Sequence, residues 1–378
     1  MSLVCEAGLW VALCIVAYAY IGYPLLLMLW SRMKYRPILR SAIYPSVSVV
    51  IAARNESSRL AARVENCLQL YYPSDRLEVI VVSDGSTDET EHTIRRLDSA
   101  RVCLVVLDRQ MGKAAALNAG VAMATGDILL FTDARQRFAP DALMRLVSHF
   151  ADPTVGAVTG ELMLEDNGQG NTEGVGLYWK IEKAIRSMES AIDSVVGVTG
   201  AVYAMRTHLY KPLRNGTILD DLVNPMGIVM DGYRVVLDRQ AVAFDQLTSD
   251  YRHEFRRKVR TLAGNLQALA WNPAWLNPLK NRMFFQLISH KVSRLVAPFA
   301  LVTAFILNLV VLQSGYVYLF AAQVVGYILA LIGWGLAVVG VRERVTGAAF
   351  SFCLLNCAAV VGAIRFISGS QNLWRKAA

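Results

Sequence analysis

Residues 8–30, GLWVALCIVAYAYIGYPLLLMLW, contain no charged side chain. A run of that length is enough to cross a hydrocarbon core of roughly 30 Å as a helix. Three more apolar runs lie near the other end: LVAPFALVTAFILNLVVL (295–312), YVYLFAAQVVGYILALIGWGLAVVG (316–340) and TGAAFSFCLLNCAAVVGAI (346–364). They account for a hydrophobic fraction of 54% against 18% charged residues, which is too apolar for an ordinary soluble domain. A cleaved signal peptide is the rival reading of the first run. It fits poorly, because MSLVCEA carries no basic residue, the run is too long, and no small-residue cleavage site precedes the basic stretch.

Arg32, Lys34, Arg36 and Arg40 follow the first run, and Lys280, Arg282, Lys291 and Arg294 flank the start of the second. Basic flanks mark the cytoplasmic side. The expected arrangement is therefore a multi-pass protein of the plasma (inner) membrane, with its polar middle in the cytoplasm and its N-terminus outside. Three crossings after the middle would leave Arg375 and Lys376 outside, against the same rule. The last run, with Arg365, is accordingly the candidate for a re-entrant or interfacial segment.

The net charge is +8, but the basic residues gather beside the apolar runs and no nucleic-acid motif occurs. Anionic lipid and an anionic substrate account for the charge, and nucleic acid is not an expected partner. None of the six cysteines has metal-type or disulfide-type spacing, and His92, His149, His208, His253 and His290 are scattered without zinc-ligand spacing.

Between residues 45 and 165 the pattern alternates. PSVSVVIAA (45–53), LEVIVVS (77–83), RVCLVVL (101–107), DILLFTD (127–133) and VGAVTGE (155–161) read as strands, with helical stretches between them. A parallel α/β sheet is the expected assembly. Ligands of such sheets bind beyond the carboxyl ends of the strands. Asn55 and Glu56 follow the first strand, Asp84 ends the second and Asp133 the fourth. No GxGxxG, GxxxxGK[ST] or GxSxG motif is present, so nicotinamide, P-loop and serine-hydrolase sites are not expected. MLEDNGQGNTEGVG (163–176) reads as a mobile loop. YRHEFRRKVRTLAGNLQALAW (251–271) aligns Phe255, Val259, Leu262, Leu266 and Leu269 on one stripe, with a basic cluster at its start. That pattern suits a helix at the membrane surface.

Seven short stretches, in this order, carry a resemblance: ARNE (53–56), SDGSTDET (83–90), GKAAALNAG (112–120), TDAR (132–135), TGA (199–201), ILDDL (218–222) and RKVRT (257–261). From about residue 46 to 271 the chain resembles the membrane-bound family 2 glycosyltransferases, which include cellulose, hyaluronan and poly-N-acetylglucosamine synthases. The resemblance implies a glycosyltransferase A-type (nucleotide-diphospho-sugar transferase) α/β domain flanked by transmembrane helices. Four regions follow from it: an N-terminal anchor with its basic flank (1–40), the cytoplasmic domain (41–250), amphipathic interfacial helices (251–290) and a C-terminal membrane region (291–378).

The resemblance also implies roles for residues. Glu56 lies in the donor-side motif, Asp84 matches the aspartate that contacts the nucleotide, and Lys113 and Asn118 lie in the segment near the diphosphate. Asp88 reads as a first-turn charge. Lys113 also reads as a solvated charge at a helix start, an end that disfavours cations. Asp133 matches the metal aspartate, for Mg2+ or Mn2+, which take carboxylates, phosphates and water. The second acid of the usual Asp-x-Asp is replaced by Arg135, a residue suited to phosphate or to solvent. Asp221 matches the catalytic base and Asp220 its acidic neighbour, while Gly200 belongs to the acceptor-side segment. Processive relatives carry Gln-x-x-Arg-Trp where this chain has Arg257, Lys258, Val259, Arg260 and Thr261. Arg260 is kept, but the aromatic platform for a sugar ring is lost.

The expected function is inverting transfer from a nucleotide sugar, a UDP-sugar, to a membrane-associated growing polysaccharide in exopolysaccharide synthesis, with a lipid-linked or polysaccharide acceptor and possible export through a partner subunit. Single transfer to a polyprenyl-diphosphate-linked oligosaccharide is the alternative within the class. A non-catalytic assembly scaffold is the alternative outside it. A transporter is disfavoured, because the acids in or near the apolar runs are not paired.

Overall fold

A computed structural model describes residues 2–165, 173–246, 251–341 and 343–369. VSVVIAA and LEVIVVSD are near-continuous apolar runs rich in β-branched residues, as strands covered on both faces require. They form β1 (Val47–Ala53) and β2 (Leu77–Asp84). With β3 (Val102–Leu107), β4 (Ile128–Asp133), β5 (Arg137–Phe138), β6 (Val155–Glu165), β7 (Tyr203–Arg206) and β8 (Arg234–Gln246) they build one eight-stranded sheet, in the order β3-β2-β1-β4-β7-β6-β8-β5.

All five expected strands are present, but the sheet is mixed rather than parallel throughout. β3, β2, β1 and β4 are parallel. β7 then enters antiparallel between β4 and β6, and β5 lies antiparallel to β8. β7 and β8 left little local signal. The β4–β7 pairing brings Phe131 onto Tyr203, with ring centroids 4.9 Å apart, and such a contact between distant segments has no periodicity to read.

Helices cover both faces. α2 (Ser57–Leu68), α3 (Thr90–Arg95) and α5 (Ala142–Ser148) bury Leu60, Ile94 and Leu146 in the same core as Val49 and Ile51. α4 (Lys113–Ala122) and α7 (Asp220–Met230) bury Leu117 and Leu222 in the core that includes Val50, on the other face. Gly120 permits this packing, since a Cβ there would lie 2.7 Å from Val50 Cγ1.

Among the described residues, four helices are long and apolar enough to cross a membrane: α1 (Leu3–Met33), α9 (Phe284–Val310), α10 (Val317–Val338) and α11 (Arg344–Ile367). Leu9 and Ala12 of α1 pack on Ala300 and Ala304 of α9. Two further helices join these spans to the sheet domain, α6 (Glu173–Ile192) and α8 (Tyr251–Trp271). Of the loop expected over 163–176, residues 166–172 lie outside the described residues, as do Arg375 and Lys376; 163–165 continue β6 and 173–176 open α6.

α8 is wedged between the spans and the sheet domain. On one side, a Cβ at Gly362 of α11 would lie 3.1 Å from both Ala263 N and Val259 O. On the other, a Cβ at Gly264 would lie 2.6 Å from Leu219 Cγ and 2.8 Å from Ile218 Cγ2. The apolar stripe was legible, but not that the fourth span and the segment before Asp220 would cover it; Arg252 and Arg256 in its first turns remain exposed.

Gly264→Val should overfill this contact and destabilise the protein by about 1–3 kcal/mol. A lowered thermal midpoint in detergent, together with reduced activity from displaced Ile218–Leu219, is the expected result.

Candidate active site

The parallel register brings two acids to one edge. Ala53 of β1 pairs with Ser83 and Ala52 with Asp133, so Asp84 and Asp133 flank the carboxyl end of β1. This is the crevice where the strand order reverses, and where open α/β sheets bind ligands.

Asp84 is buried and accepts backbone N–H groups from the loop before α4: Met111 N at 2.6 Å and Gly112 N at 2.9 Å. Gly85 makes this approach possible. Its φ is +58°, and a Cβ there would lie 2.5 Å from both Arg109 C and Gln110 N, a position open only to a residue without a side chain. Asp88 ties two neighbouring turns together, accepting Ser57 N at 3.2 Å and Thr90 N at 3.0 Å. Desolvation pushes its carboxyl up, but hydrogen bonds from Thr90 and Ser57 prevail and hold it at about 2. Beside it, Asn55 Oδ1 accepts Thr87 N at 2.8 Å, and the Glu56 N–H donates to Thr90 Oγ1 at 2.9 Å.

Lys113 is the junction of the site. Its Nζ lies 3.0 Å from Asp133 Oδ1 and 3.2 Å from Asp220 Oδ1. A cation at a helix N-terminus is disfavoured by the helix dipole, and here two carboxylates offset that cost. Burial pulls the Lys113 ammonium down, but Asp133, Asp220 and Asp221 outweigh burial and raise it. Asp133 moves the opposite way: burial raises its carboxyl, while Lys113, Arg135 and Arg260 lower it by more.

Asp220 and Asp221 open α7. Asp220 is buried, and its Oδ2 accepts no hydrogen bond among the described residues. Burial and then the neighbouring Asp220 push the Asp221 carboxyl up to about 6, against the lowering effects of Lys113, Lys291 and Arg260. Gly200 stands against this acid, since a Cβ there would lie 3.5 Å from Asp221 Oδ2.

Lys113, Asp133 and Asp220 thus meet directly, Asp221 and Gly200 adjoin them, Arg260 is near enough to lower the Asp133 and Asp221 carboxyls, and Asp84 holds the loop just before Lys113. Three other expected site residues are engaged elsewhere. Asn118 clamps the 210–213 segment, accepting Tyr210 Oη at 2.7 Å and Leu213 N at 2.8 Å and donating to Leu213 O at 2.8 Å. Arg135 pairs with Asp245 of β8 at 3.2 Å, while its charge also lowers the Asp133 carboxyl. Arg257 pairs with Glu254 at 2.6 Å on its own helix. Their partners come from tertiary neighbours or the next helical turn, which a motif match does not weigh. Sequence reading missed Lys291 and Asp245, which lie in no recognisable motif.

Residues 48–211 match the family model described as Glycosyl transferase family 2. That stretch of the chain is similar to the family 2 glycosyltransferases. Curated relatives agree: the domain region is 32% identical over 167 residues to a beta-monoglucosyldiacylglycerol synthase from Synechocystis, covering 43% of this chain and 34% of that protein. It is 24% identical over 230 residues to a poly-beta-1,6-N-acetyl-D-glucosamine synthase from Staphylococcus aureus, covering 59% and 55%. The chain therefore spans between about a third and about half of these relatives. A solved mannosyltransferase from Pyrobaculum calidifontis, in complex with GDP-Man and Mn2+, has the same fold, with a TM-score of 0.76 at 23% identity over 96% of this chain and 99% of that one. The glycosyltransferase A-type fold with flanking apolar helices is thereby established for this domain.

Because the Lys113 cation lowers the Asp221 carboxyl, Lys113→Met should raise it further. The acid limb of the residual pH–rate profile is expected to move to higher pH than in the wild type, measured as product formed across pH 5 to 8.

Proposed function

We propose that the protein is an inverting glycosyltransferase that moves a sugar from a UDP-sugar to a membrane-associated acceptor. The convergence of Asp84, Lys113, Asp133 and Asp221 at one sheet edge is the observation that carries this reading. Transfer from a nucleotide sugar requires charge stabilisation on the departing diphosphate and a base for the incoming hydroxyl. Lys113 and Arg260 supply positive charge on the Asp133 side of the cleft. Asp221, ionised above about pH 6, takes the acceptor proton, and Asp220 beside it raises its proton affinity. The backbone clamp made by Asp84 shapes the loop that receives the nucleotide.

The fit to a divalent cation is that of a single protein carboxylate. No group of three or more His, Cys, Asp or Glu able to hold a metal occurs among the described residues, and Asp133 has 37% of its side chain open to the cleft. Mg2+ commonly takes one or two carboxylates and completes its shell with phosphates and water. Asp133 would hold Mg2+ or Mn2+ with the donor's phosphates, where the ion neutralises charge on the diphosphate.

The acceptor we assign is a growing polysaccharide at the plasma membrane, with the domain on the cytoplasmic face. This is supported by the basic flanks of the apolar helices and by the similarity to the poly-beta-1,6-N-acetyl-D-glucosamine synthase. Single transfer to a lipid-linked acceptor is favoured by one specific feature. At 261 the chain has no aromatic ring, and Thr261 Oγ1 turns back to donate to Arg257 O at 3.0 Å.

Radiolabelled nucleotide sugars added to membranes containing the protein test these readings. Label should enter a lipid- or polysaccharide-bound product, chelation should reduce it and Mn2+ or Mg2+ restore it. Asp221→Asn should lower the rate by about 10²–10⁴-fold, with activity of the wild type lost as pH falls through about 6. Wild-type transfer by Asp221→Asn would remove the base assignment. A product ladder supports processive addition, and a single band supports the lipid-linked alternative.

A further inference from the structure

Among the charged residues of α6 that the donor chemistry leaves without a role are Glu182, Arg186 and Glu189. Both glutamates bind the membrane helices. Glu182 pairs with Arg294 Nη1 at 2.6 Å and His290 Nε2 at 3.0 Å. Glu189 accepts the Tyr23 hydroxyl at 2.7 Å and faces His290 Nδ1 at 2.8 Å. The two spans α1 and α9 therefore hold α6 in register.

Arg186, between those glutamates in sequence, reaches the acceptor-side segment. Its Nη1 donates to Thr199 Oγ1 at 2.7 Å and its Nη2 to Thr159 Oγ1 at 3.2 Å. Thr159 Oγ1 also accepts the Thr199 backbone N–H at 2.9 Å. The next residue is Gly200, already placed against the Asp221 carboxylate, and Val198 N donates to Asp221 O at 2.9 Å. One guanidinium thus ties the start of the turn beside Asp221, at Thr199, to β6 at Thr159. Its Nε is buried without a hydrogen-bond partner among the described residues. An arginine so held is costly to desolvate unless its contacts secure something in return.

We propose that Arg186 is a positioning residue, which holds the Thr199–Gly200 wall at the distance from Asp221 that aligns the acceptor hydroxyl, and couples that wall through α6 to the membrane helices. The proposal rests on the reading of Asp221 as the base. Misplacement of reacting groups by about 1 Å costs on the order of a hundredfold in rate, so loss of the Arg186–Thr199 bond should appear in kcat and not in donor KM.

Thr199→Val keeps the side-chain shape and removes the acceptor oxygen, whereas Thr199→Ser keeps the oxygen and removes the methyl group. With the UDP-sugar that supports wild-type transfer, Thr199→Val should lower kcat by about tenfold to a hundredfold, with donor KM within about twofold of wild type. Thr199→Ser should restore most of the activity, and Arg186→Gln should resemble Thr199→Val. If Arg186→Gln does not fold, the two Thr199 variants decide. Wild-type kcat in Thr199→Val, or a loss in Thr199→Ser as deep as in Thr199→Val, would overturn the positioning role while leaving the glycosyltransferase reading intact. A wild type that transfers no sugar from any nucleotide sugar would overturn both.

Discussion

The bridge from Lys113 to Asp133 and Asp220 is the interaction on which the site depends. It joins the start of α4, the end of β4 and the start of α7, three places far apart in the chain. Without the lysine, three carboxylates would share one partly buried cleft, and like charges in low dielectric resist joint ionisation. With it, the Asp133 carboxyl is held down, while the Asp221 carboxyl, one residue beyond Asp220 on α7, is pushed up to about 6. The two acids thereby differ in proton affinity beside one cation.

Around that bridge the domain is arranged so that each loop is held by another loop. Asp84 holds the loop leading into Lys113, Asp88 and Asn55 lock the first two strand-to-helix connections together, and Asn118 secures the segment that runs toward Asp220. Polar residues that a motif reading assigns to ligands are divided in the structure between contact with the cleft and support of its frame. Buried polar side chains of the second kind are satisfied by backbone groups, as burial demands.

The membrane helices contribute more than attachment. α11 presses on α8, and α8 presses on Ile218 and Leu219 immediately before the acidic pair. α1 and α9 hold α6 through Tyr23, His290 and Arg294. Gly200 and the acidic pair are therefore built against helices that the spans hold, whereas Asp84 and Asp133 end strands of the sheet.

Much of the molecule was legible in the chain. The charge-free runs determined the four apolar helices, because a helix that faces lipid admits few charges over its whole length. The β-branched runs ending in Asp84 and Asp133 determined the parallel core and its functional edge, because strand burial and strand-end chemistry are both local. Tertiary structure alone decided the rest: the insertion of β7 between β4 and β6, the covering of α8, the pairing of Arg135 with Asp245, and the capture of Thr199 by Arg186. Each depends on which distant side chain arrives at a given point. Periodicity and spacing describe a segment's own faces and ends, and they hold no information about the neighbour that will satisfy them.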